Sequence, residues 1–122
     1  MCRLLRWSFL ALGVAIAAST ANAHAKLVQS APPAKSTITS PPREIRLTFN
    51  EPVAVKLSGI DLTSSEGSKI VTGAAVAAVG DKNVLVVTLK EMLPPGPYHV
   101  HWHVVSADMH KVQGDFTFEV RP

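Results

Sequence analysis

The chain has 122 residues, with 12 Lys and Arg against 9 Asp and Glu, a net charge of +3 and one cysteine. That length holds one domain and leaves no room for a second core. With 47% apolar and 17% charged residues it is not a disordered chain, and its basic excess would suit a nucleic-acid partner only if the basic residues belonged to the folded part.

They do not all belong there. Residues 1–6 carry Arg3 and Arg6, residues 7–18 are apolar and uncharged, and Ala21-Asn22-Ala23 follows as a small-x-small site. This is the pattern of a secretory signal peptide. The apolar run is shorter than the roughly 20 residues of a membrane-spanning helix, which argues against the competing reading, an uncleaved N-terminal anchor. Cys2 precedes the apolar run and is not placed for lipoprotein processing; Arg3 and Arg6 are not adjacent, as a twin-arginine signal would require. Cleavage after Ala23 removes 23 of the 122 residues and leaves 99, numbered 24–122, with 10 basic and 9 acidic side chains and no thiol. The expected product is a periplasmic domain that neither binds nucleic acid nor inserts into the membrane. Without disulfides, it is held together by its core.

The mature part shows no long 3.6-residue apolar stripe. Short alternating runs punctuated by proline and glycine appear instead. Residues 25–30 read as a first strand, stopped by Pro32-Pro33. Residues 43–49 alternate, with Ile45, Leu47 and Phe49 on one face. Residues 55–63 give one or two strands around Gly59, and Ser64 to Gly67 a turn. Residues 69–79 are ambiguous, 80–83 a turn, and 84–89 a buried strand. After Pro94-Pro95-Gly96-Pro97, residues 98–105 form the clearest strand, with Tyr98, Val100, Trp102 and Val104 inward. A loop is expected over 106–113, then a last strand over 114–120 with Phe116, Phe118 and Val120 inward. About seven strands in about 100 residues predict an all-β, antiparallel Greek-key sandwich or barrel.

All five histidines survive cleavage, and the new first residue is His24. A terminal histidine offers its α-amine and imidazole Nδ1 to one ion, and the amine's reference pKa of about 7.7–8.0 lets a metal displace its proton near neutrality. Asp108 and His110, two apart, point the same way in an extended chain and lie about 6.6 Å apart. Alone, D-x-H is an ordinary loop motif. Joined to His24 it completes a donor set of three nitrogens and one carboxylate oxygen, which suits Cu(II) first and Ni(II) behind it. The absence of cysteine excludes a blue-copper electron-transfer site. His99, His101 and His103 share the outward face of the 98–105 strand. Three such residues span about 13 Å and cannot all reach one ion, though two neighbours could. The plain reading is a solvated strand face, the sharper one an accessory metal site. Met92 and Met109 are too few and too isolated for a Cu(I) site. No phosphate loop or nucleophile elbow is present, and no catalytic residue is assigned.

These motifs resemble the CopC family of exported copper-resistance proteins. His24-Ala25-Lys26-Leu27 is similar to the family's H-x-K-L start. Leu47 to Val53 is similar to its L-x-F-S-E-P-V segment. Tyr98-x-Val100-x-Trp102-x-x-x-Ser106-x-Asp108-x-His110, followed by Gly114 and the last strand, is similar to its C-terminal block. The resemblance implies a small Greek-key β-barrel or sandwich of cupredoxin-like or immunoglobulin-like type. It also implies a Cu(II) site made by the His24 amine and imidazole, Asp108 and His110. Glu51 matches the family glutamate near copper and is a candidate weak ligand or outer-shell group. Two departures stand out: Met109 replaces a common glycine, and residues 64–82 lack the Met-rich Cu(I) loop of some members. The implied function is sequestration or delivery of Cu(II) through a single site, without turnover, with an inner-membrane CopD-type protein as partner. The rivals are a histidine-brace copper oxidase of polysaccharides, for which no aromatic platform is seen, and a metal-free β-sandwich adaptor.

Overall fold

A computed structural model describes residues 24–122; the signal expected over 1–23 lies outside the described residues. Nine strands follow in order: β1 (Leu27–Ala31), β2 (Ser36–Ile38), β3 (Glu44–Phe49), β4 (Gly59–Ser64), β5 (Lys69–Ile70), β6 (Val76–Ala78), β7 (Asp81–Thr88), β8 (Gly96–Val105) and β9 (Lys111–Val120). They form two sheets, ordered β1-β3-β7-β6 and β2-β9-β8-β4-β5. The only parallel pairing among them is β2 with β9. The chain crosses between sheets before β2, β3, β4, β6 and β8, which packs the two as an all-β sandwich of the expected class. Among the described residues no helix is long and apolar enough to cross a membrane.

Alternation decides which face is buried. On β3, Ile45, Leu47 and Phe49 are buried; on β8, Tyr98, Val100, Trp102 and Val104; on β9, Phe116, Phe118 and Val120. Aromatic pairs line the inner faces. Phe49 of β3 lies edge-on to Trp102 of β8 with ring centroids 5.2 Å apart, and within the five-stranded sheet Tyr98 stacks on its cross-strand partner Phe118 at 5.5 Å. Trp102 lies over its cross-strand partner Gly114, where the Cβ of any other residue would stand 3.0 Å from the indole Nε1 and closer still to the ring carbons.

Four expectations shift in detail. Val55–Leu57 is a single 3-10 turn rather than strand. The Ser58 hydroxyl holds it, donating to the Ala54 carbonyl at 2.7 Å and accepting the Val105 N–H at 3.1 Å, so the local hydroxyl competes with the ladder. The turn expected over 80–83 tightens to Val79-Gly80, with Gly80 at φ 76°, and Asp81 is already paired with Ala78. The loop expected over 106–113 ends at His110, because Lys111 pairs with Val105. The extra strands, β2, β5 and β6, have only two or three residues each.

Candidate metal centre

The N-terminal end of β1 is fixed by three contacts. Ala25 is buried in the core. The Lys26 N–H donates to Asn50 Oδ1 at 2.7 Å, and the Asn50 N–H donates to the Lys26 carbonyl at 3.0 Å. Leu27 pairs with Phe49. From Asn50 the chain crosses to the other sheet. There Val53 bridges to Ser106 and the Ala54 N–H donates to the Val105 carbonyl at 2.8 Å. One segment, residues 50–54, thus ties the start of the described chain to the β8–β9 hairpin.

That hairpin has a three-residue loop, Ala107-Asp108-Met109. The Met109 N–H donates to the Ser106 carbonyl at 2.9 Å and the Ser106 N–H to the His110 carbonyl at 3.0 Å. Met109 has φ 66°, the left-handed conformation that closes this turn type. A glycine takes it without cost, whereas Met109 holds it with its side chain in solvent.

A tight loop, rather than the extended chain expected for D-x-H, brings Asp108 and His110 together. His110 Nδ1 lies 2.7 Å from Asp108 Oδ2. Ser106, fully buried, donates its hydroxyl proton to the other oxygen, Asp108 Oδ1, and accepts the His110 N–H at 3.2 Å. The Ser106 hydrogen bond lowers the Asp108 pKa below the ordinary carboxylate range. The His110 hydrogen bond and charge help, and together they outweigh partial desolvation.

His24 reaches the same place. Its ring meets that of His110 edge-to-face, with centroids 4.7 Å apart and planes at 89°. Two imidazoles bound at about 2.0–2.1 Å to one ion at a right angle would place their centroids about 4.5 Å apart. Ligands at a right angle on such an ion stand about 2.9 Å from one another, close to the observed Asp108–His110 separation. These two spacings and the donor types would suit a small divalent ion, which His24, Asp108 and His110 would hold. As they stand, no three His, Cys, Asp or Glu side chains among the described residues could hold such an ion. The metal-free arrangement is held by hydrogen bonds instead. Glu51 is half-buried on the crossing segment, and no hydrogen bond or ion pair joins it to His24, Asp108 or His110.

The sequence motif from Tyr98 to His110 places its inward residues on β8 and its polar residues in this loop. The CopC domain matches residues 27–121. The chain belongs to the CopC family. Protein YobA of Escherichia coli K12 is 37% identical over 119 residues, covering 98% of this chain and 96% of YobA. Copper resistance protein C of Escherichia coli is 38% identical over 118 residues, covering 92% of this chain and 90% of its own. In fold, the crystal structure of CopC from Methylosinus trichosporium OB3b superposes with a TM-score of 0.76 at 30% identity, covering 81% of this chain and 95% of that one.

Two positioning residues were not assigned from sequence. Asn50, which anchors the first strand, stands where the family segment has serine. Ser106 appears in the S-x-D-x-H spacing, but only the fold shows its hydroxyl turned onto Asp108. The outward histidines lie on a solvent-facing strand face, as expected, where His99 and His101 also both contact Asp115.

Proposed function

We propose that this CopC-family chain is an exported Cu(II)-binding protein that sequesters copper or hands it on without turnover. One of the relatives above is a copper resistance protein. The observation that carries the reading is the convergence of the His24 and His110 rings, with Asp108 beside His110. Cleavage after Ala23 would free the His24 α-amine, so that one residue chelates through two nitrogens. Asp108 and His110 Nδ1 would supply the remaining donors, with Ser106 aiming Asp108. The donor set of nitrogens and one oxygen favours Cu(II), at the top of the divalent affinity order. By the family resemblance alone, Glu51 would serve as a weak or outer-shell group once the ion is bound, and the copper would pass to or from an inner-membrane CopD-type protein.

The test is copper affinity of the periplasmic protein, its first residue established by mass spectrometry. His24→Ala is expected to lower Cu(II) affinity by at least about a hundredfold, since it removes the chelate ring and a ligand. Unchanged affinity would overturn the reading.

A further inference from the structure

We propose that His99, His101 and Asp115 form a second divalent-metal site on the outer face of the five-stranded sheet. Asp115 Oδ1 lies 3.0 Å from His99 Nε2 and 2.8 Å from His101 Nδ1. The three come from neighbouring strands in fixed register: Asp115 on β9 stands opposite His101 on β8, and His99 is two residues along the same face. Two ligand atoms on one ion at about 2.0–2.2 Å stand about 2.9 Å apart at a right angle and about 3.4 Å apart at the tetrahedral angle. Both nitrogens are therefore already at ligand-to-ligand distance from the carboxylate. A small rotation of each ring admits an ion in place of the protons directed at Oδ1.

The surrounding charge favours a cation. On its other flank His101 stands opposite Asp61 of β4, whose carboxylate is met by Lys69 Nζ at 3.8 Å. With neutral histidines, two carboxylates face one ammonium. Two imidazoles and a carboxylate suit a borderline ion such as Zn(II) or Cu(II), with water filling the open positions. His103 takes no part; its ring lies over Gly59. The site is separate from that at His24, since His101 precedes Ser106 by five residues, roughly 16 Å of extended strand.

Zn(II) titrated into the purified chain, with the histidine ring proton–nitrogen signals followed by NMR, tests the assignment. The signals of His99 and His101 are expected to shift together. His101→Gln and Asp115→Asn should each weaken that step by about tenfold or more, whereas His103→Gln and His24→Ala should leave it in place. These are exposed or half-exposed positions, and an unchanged melting temperature shows that each variant is folded. The proposal is overturned if Zn(II) leaves the His99 and His101 signals unmoved, or if folded His101→Gln binds as the parent does.

Discussion

Met109 shows what a single backbone angle costs. A side chain in the left-handed region loses roughly 1–2 kcal/mol relative to the right-handed one, and glycine recovers that less its greater freedom in the unfolded chain. Met109→Gly is expected to stabilise the protein by about 1 kcal/mol, raising its melting temperature by about 4–8 °C; calorimetry checks this. Ser106 governs a charge. Because the folded-state pKa of Asp108 lies below the ordinary value, the stabilisation from its ionised form is present above the unfolded pKa and is lost as pH falls through the folded one. Ser106→Ala should move the Asp108 midpoint up toward the ordinary range, as read from its carboxyl carbon by NMR. It should also weaken Cu(II) binding by about 10–100-fold, the usual effect of removing a group that orients a ligand. Ser106, Asp108 and His110 were legible as a spacing, but the hydroxyl's target was not. Side-chain direction in a three-residue loop depends on the left-handed turn at Met109, which a methionine does not announce.

At the scale of the element, the site depends on how the first strand is moored. Two hydrogen bonds link Lys26 with Asn50, and one uses the Asn50 side chain. Asn50→Ala should cost about 0.5–1.5 kcal/mol and weaken copper binding, because His24 then approaches His110 from a looser strand. Denaturant unfolding and metal titration report the two effects. On β9, Gly114→Ala should destabilise by about 1–3 kcal/mol through overpacking against Trp102, again read by denaturant unfolding. The long strands β3, β8 and β9 were legible because period-two alternation runs through six or more residues, and β7 because Val84 to Val87 form an unbroken apolar run, all of it buried. β2, β5 and β6 were not, since two or three residues carry no period. Nor was the turn at Val55–Leu57, where Ser58 hydrogen bonds replace the ladder.

At the scale of the whole molecule, the sandwich is a rigid frame that joins distant parts of the sequence. His24 begins the described chain and His110 lies near its end; the crossing segment 50–54 and the β8–β9 hairpin bring them together. No local spacing connects residues so far apart; His24 was joined to Asp108 and His110 by the chemistry of a shared donor set and by the family resemblance. The central claim is that export creates the binding site by turning His24 into a chelating terminus. Electron paramagnetic resonance of the Cu(II)-loaded protein beginning at His24, beside the same protein with one extra residue before it, tests this most directly. The native terminus should give a tetragonal Cu(II) spectrum with hyperfine splitting from three nitrogens, and the extended protein should lose the amine nitrogen and much of its affinity. Identical spectra and affinities for the two proteins would contradict the account.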